Sequence, residues 1–204
     1  MLSGYKQFSL SAGLAILLAS VLSGTPAPCA AMDITAEGST TVTMSGPVVS
    51  ADCDTLETLL NKTKASLVVL TDSGGGNAAA GYCVGALIRK RGLATVIRGR
   101  CASSCSRMWL GGVERTLDGP NSRVGLHGNY ATGGGLLPDA PNKLREWIPQ
   151  YAPSVDKALM EQWIHLPVNK SMMYFYNARA ELCEKGTCTQ ITGRNALNAG
   201  LATR

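Results

Sequence analysis

The chain has 204 residues, 45% of them apolar and 16% charged, enough for one domain with a substantial core. That balance excludes a disordered or fibrous chain. The formal charge of +5 is scattered apart from "RKRG" (Arg89 to Gly92) and has no aromatic-interleaved basic stripe, so nothing in it points to a nucleic acid.

Residues 1–31 read as a cleaved export signal. Lys6 is the positive head, Leu10 to Gly24 is a short apolar stretch, and "TPAPCAAM" offers small residues for cleavage after Ala31. A retained membrane anchor is the alternative, and Pro28 before Cys29 disfavours a lipoprotein signal. The expectation is a periplasmic or secreted protein whose single α/β domain spans 32–204.

"STTVTMSGPVV" alternates Thr40, Val42 and Met44 and predicts a strand, and Leu56, Leu59 and Leu60 follow at helical spacing. Leu67 to Leu70 is a fully apolar run of the kind buried in parallel sheets. It breaks at "SGGGN", and a helix from Ala78 closes at Gly92, with Gly81 and Gly85 four apart where a neighbour can press close. "LATVIRG" is the next strand, "SSCSRMWLGG" a helix, "LDGPNS" a turn and "RVGLHG" a further strand. Strand and helix alternating in this way predict a βαβ core with a mostly parallel sheet. "GNYATGGGLLPDAPN" reads as a lid or binding loop. Helices are expected at Lys143 to Tyr151, Val155 to His165 and Ser171 to Ala180. A last short helix in "TGRNALNAGL" would have Thr192 as its N-cap and Gly200 past its end.

Export favours disulfides over metal. Without Cys29 six cysteines remain, which allow fifteen connectivities, and the sequence does not choose among them. The pairs expected are Cys53 with Cys83, Cys101 with Cys105, and Cys183 with Cys188. A zinc site from Cys101, Cys105 and a histidine is the rival reading, but it lacks a second ligand pair. No metal and no cofactor are expected.

Ligands of open α/β sheets bind at the carboxyl ends of the strands. There the sequence sets "DSGGGN" after one strand, "CASSC" after the next, and His127 on the third. A hydroxyl, an imidazole and glycine amides are the parts an acyl-transfer site needs. Each has a plainer reading: a turn, a helix cap, a packed core histidine.

"LTDSGGGNAAAG", "TVIRGRCASSC" and "PNSRVGLHG", in that order, resemble the Clp protease proteolytic subunit and its relatives in the crotonase-like superfamily. The likeness runs from Leu67 to His127, is faint at Val42 to Val48, and returns in "ITGRNALNAGLAT". It implies a Clp protease-like fold with C-terminal helices, and a serine peptidase acting on a peptide or protein. Gly74 stands where the family has proline. The match puts the nucleophile at Ser103, not Ser104, and the base at His127. It gives the oxyanion amides to Gly76 and Ser104, with Gly75 and Asn77 in the substrate loop. Counting back from the last helix puts the family's acid at Glu184, with Asp139 and Asp156 as the other carboxylates past His127. No lysine falls in a matched motif, which argues against a Ser/Lys dyad. A Cys101–Cys105 bridge would frame the nucleophile, and the imidazole would titrate at roughly pH 6 to 7.5. Outside the cell no ATP-driven unfoldase and no acyl-CoA thioester is expected as a partner; a homo-oligomer is compatible. The rival reading is a catalytically silent binding or assembly module that keeps the fold.

Overall fold

The computed structural model describes Met1 and residues 31–131, 135, 137–166 and 171–204. The export segment expected over 1–31 lies almost wholly outside the described residues, as does part of the expected lid loop.

The architecture is mixed α/β: eight strands in one sheet, in chain order, and five helices among the described residues. The strands are β1 (Asp33–Glu37), β2 (Thr41–Ser45), β3 (Leu67–Ser73), β4 (Ala94–Ala102), β5 (Arg115–Leu126), β6 (Ser171–Phe175), β7 (Ala180–Glu184) and β8 (Thr187–Gln190). The helices are α1 (Asp52–Leu60), α2 (Ala78–Lys90), α3 (Ser104–Leu110), α4 (Ala140–Tyr151) and α5 (Lys157–Ile164). β2, β3, β4 and β5 run parallel, whereas β1 with β2 and the three pairings from β5 to β8 are antiparallel. The sheet is therefore parallel only in its middle, and the expectation of a mostly parallel sheet is corrected. Parallel pairs need crossovers, and α1, α2 and α3 supply one each between β2 and β5; β5 reaches its antiparallel neighbour β6 through α4 and α5, and β6, β7 and β8 then turn back through short connections.

The C-terminal expectations change as well. Ser171 to Ala180 holds strand β6, not a helix: its burial alternates residue by residue along "SMMYF", the two-residue period of a strand. The last stretch forms turns in place of a helix. Asn195 and Asn198 each accept the other's backbone N–H through the side-chain oxygen, at 2.8 and 3.0 Å, and so replace helical bonds. The "LDGPNS" turn lies inside β5. Arg98 pairs with Asp118 but Arg100 with Arg123, so residues 119–122 bulge out while the strand continues.

One hydrophobic cluster unites the sheet with its helices, including Met44, Leu70, Ile97, Trp109, Val124 and Phe175. α2 and α3 cross at near contact. A Cβ on Gly81 would lie 2.5 Å from the Ser104 carbonyl oxygen, and one on Gly85 2.3 Å from that of Arg107. The small residues four apart bring α3, and with it the residue before it, against the first turns of α2.

Candidate functional site

The register of the parallel strands aligns their carboxyl ends. Ser73 pairs with Cys101 and Cys101 with Val124, so the glycine loop, residue 103 and residue 127 emerge side by side.

Ser103 occupies a sharp turn between β4 and α3, with φ 57° and ψ −126°. Such a backbone is strained for a residue with a Cβ. Contacts on both sides hold it. The Cys101–Cys105 disulfide spans the turn. The Ser103 N–H donates to the Gly125 carbonyl at 3.0 Å, and the Ser103 carbonyl accepts from the Ser106 N–H at 2.9 Å. The Ser103 hydroxyl is half-buried and caps nothing, although it stands at a helix start. The Ser104 hydroxyl is buried without a hydrogen-bond partner among the described residues.

Gly75 packs directly on this turn: a Cβ there would stand 2.5 Å from the Ser103 Cβ and 2.7 Å from the Ala102 carbonyl oxygen. The next residue, Gly76, bridges Val48 in parallel fashion. Gly75 O accepts from the Val48 N–H at 3.0 Å, and the Asn77 N–H donates to Val48 O at 2.8 Å. In that pattern the flanking residues carry the bonds, and the Gly76 N–H turns away from Val48. The Gly76 amide has no backbone acceptor among the described residues. Neither does the Ser104 amide, the first of α3. Asn77 caps α2, its side-chain oxygen accepting from the Ala80 N–H at 2.9 Å.

His127 is buried, with 6% of its surface exposed. Its ring stacks on Tyr130, centroids 4.5 Å apart, and its Nδ1 faces the Gly128 carbonyl oxygen. A carbonyl only accepts, so Nδ1 carries the proton and Nε2 keeps its lone pair. Burial, and after it the nearby Arg107 guanidinium, push the imidazole pKa down to about 4; the Gly128 bond opposes this weakly. The titration range of pH 6 to 7.5 expected from sequence is corrected accordingly.

No carboxylate is hydrogen-bonded to His127 among the described residues. Glu184 ends β7, exposed, opposite Ser171 of β6, and so stands two strands away from β5. Asp156 caps α5 by accepting from the Leu159 N–H at 2.9 Å and pairs with Arg194 at 3.3 Å. Asp139 is exposed just before α4, at the rim of a cavity of about 400 Å³. Ala78, Ala79, Tyr82, Asn129 and Leu137 form much of its wall, next to the glycine loop and two residues from His127. Nor are the Ser103 hydroxyl and the His127 ring hydrogen-bonded to each other.

The structure also forms the Cys53–Cys83 and Cys183–Cys188 disulfides, the other two pairs expected from sequence. With its sulfur in a disulfide, Cys101 offers no thiolate to zinc. Sequence reasoning did not single out Arg107, Asn129 or Trp163, which surround the backbone of residues 103 and 127. The signal was present: a basic residue four positions after the nucleophile candidate, directly before the apolar run "MWL".

No protein-family model and no curated protein matches the sequence. Solved structures do match in fold. ClpP1 from Listeria monocytogenes superposes with a TM-score of 0.52 at 15% identity, over 79% of this chain and 88% of that one. An asparagine-to-aspartate mutant of it gives 0.50 at 15%, over 80% and 89%. A serine-to-alanine mutant of the 1510-N membrane-bound stomatin-specific protease gives 0.51 at 16%, over 80% of this chain and 76% of that one. At these identities the likeness is one of fold alone, and in fold the chain resembles ClpP1 and the stomatin-specific protease.

Proposed function

We propose that the chain is an exported serine hydrolase acting on peptide bonds, with Ser103 as nucleophile and His127 as base. The observation that carries this reading is the Ser103 turn: a strained serine between strand and helix, its hydroxyl free, with two unpartnered amides beside it. A serine that merely started the helix would use its hydroxyl as a cap. Ser103 Oγ attacks the substrate carbonyl carbon and passes its proton to His127 Nε2. The amides of Gly76 and Ser104 hold the resulting oxyanion. The imidazolium then protonates the leaving amine, and water repeats the sequence on the acyl-enzyme. Gly75 and Asn77 shape the loop against which the substrate lies, and the cavity by Tyr82 accepts an apolar side chain. The Gly128 carbonyl fixes the tautomer, the task expected of Glu184. Three disulfides support an oxidising compartment, and no helix among the described residues is long and apolar enough to cross a membrane.

A fluorophosphonate tests the reading. It should label the protein once; Ser103→Ala should abolish labelling and Ser104→Ala should spare it. The rate should rise through pH 4 and be level from about pH 5.5, because neutral imidazole is the base. Glu184→Gln should label within about twofold of the parent; a fall of roughly 10²–10⁴-fold would return that carboxylate to the site. One observation favours a catalytically silent binding module: the absent hydrogen bond between the Ser103 hydroxyl and His127. No labelling at any pH would establish that second reading.

A further inference from the structure

A single guanidinium lies behind both halves of the candidate pair. Arg107, on the last turn of α3, is 1% exposed. Its Nη1 donates to the Ser103 carbonyl at 2.7 Å and to the Ser106 hydroxyl at 2.8 Å. Its Nη2 donates to the His127 carbonyl at 2.9 Å and to Asn129 Oδ1 at 3.0 Å. Trp163 of α5 donates its indole N–H to the same His127 carbonyl at 3.0 Å, and its ring lies 5.6 Å from the guanidinium carbon. Asn129 donates onward to the Tyr82 hydroxyl of α2 at 2.7 Å.

No carboxylate pairs with Arg107 among the described residues, and its Nε is buried without a partner. A cation so placed is costly to bury, and filling space alone would be done better by an apolar residue such as its neighbours Met108, Trp109 and Leu110. The charge instead meets backbone oxygens, and two of them belong to residues 103 and 127. A guanidinium is planar and rigid, so two carbonyls on its two Nη atoms stand at a fixed separation.

We infer that Arg107 is a positioning residue, whose fork sets the spacing between the backbones of Ser103 and His127 and with it the approach of hydroxyl to imidazole. The inference rests on the serine-hydrolase reading. It carries an electrostatic corollary. The groups against the His127 ring are the Gly128 carbonyl, the Tyr130 ring and, from α3, the Arg107 charge; Trp163 of α5 is neutral. Without a carboxylate to oppose it, that charge keeps the imidazole neutral in addition to the effect of burial.

The test compares the full chain with Arg107→Lys and Arg107→Met in two measurements. One is the fluorophosphonate labelling rate against pH, and the other is the titration midpoint of the His127 ring proton by NMR. Lysine keeps the charge and loses the fork: labelling should fall roughly 10–100-fold with the midpoint unmoved. Methionine loses both: labelling should fall at least as far, and the midpoint should rise by about one pH unit. Parental labelling rates in both variants would overturn the inference, and so would an unmoved midpoint in Arg107→Met. If Arg107→Met does not fold, Asn129→Leu decides, since it removes one acceptor of the fork and leaves the charge. Labelling should then drop severalfold, and a parental rate would overturn the inference. If the parent protein is not labelled at all, the hydrolase reading fails by itself; the midpoint in Arg107→Met then decides whether Arg107 acts on His127.

Discussion

At the scale of single residues the site depends on atoms that are missing. Gly75 has φ +92°, and any Cβ there would strike the Ser103 Cβ at 2.5 Å and the Ala102 carbonyl at 2.7 Å. Neither obstacle is the tip of a flexible side chain, so the turn itself must move. Gly75→Ala should therefore lower Ser103 labelling by about 10²-fold or more, since misplacement near 1 Å costs that much. Gly92→Ala is the control: φ is +66° but nothing lies within 4 Å, so it should cost about 1 kcal/mol of stability and leave labelling alone. Labelling of Gly75→Ala at the parental rate would show that the packing of loop on turn is dispensable. In the sequence each of "SGGGN", "CASSC" and "GLH" has a plainer reading by itself, and only their order, with the family resemblance it carries, marks these positions as candidates. Arg107 was not readable as a partner of both residues: its role depends on the crossing of α2 with α3 and on Trp163, 56 positions later.

Among the elements, the two disulfides near the site do different work. Cys53–Cys83 ties α1 to α2 across a separation of 30 residues, while Cys101–Cys105 closes only 4 residues around the Ser103 turn. Loop-closure entropy makes the first worth about 4 kcal/mol and the second about 2. Replacing Cys53 and Cys83 by alanine should thus cost more stability in urea denaturation than replacing Cys101 and Cys105. Labelling should follow the opposite order, because of the two bridges only the short one spans the Ser103 turn. If loss of Cys101–Cys105 left labelling unchanged, the bridge would be a staple and not a frame. "SMMYFYNARA" has no decisive period in sequence, and only pairing with β5 and β7 makes its first half the strand β6. The antiparallel half of the sheet was missed with it.

Across the whole molecule, the buried imidazole links the site to folding. The His127 pKa is about 4 in the folded chain and 6.5 when exposed, with burial the larger cause and Arg107 the second. Between those values the unfolded chain binds a proton that the folded chain refuses. Stability therefore falls as pH drops from 6.5 toward 4, and is fully present above 6.5. A shift of about 2.5 pH units corresponds to about 3 kcal/mol, lost at roughly 1.4 kcal/mol per pH unit through the window. Carboxylates held below their ordinary range by arginines, Glu161 by Arg145 and Glu181 by Arg179, also weaken the fold in acid, but they do so alike with and without the imidazole. His127→Gln removes the imidazole while keeping a polar side chain of similar length. Urea denaturation at pH 7.5, 6.5, 5.5 and 4.5 should show the parent losing about 2–3 kcal/mol across the series, with the variant losing markedly less. Equal slopes in the two proteins would mean that His127 is not held neutral by the fold. In the proposed role of base, an imidazole that stays neutral this far into acid trades proton affinity for availability: it would be ready to accept a proton over a wide pH range, yet a weaker acceptor than a carboxylate-supported histidine. A slow serine hydrolase that works over a wide pH range is what such a site should yield.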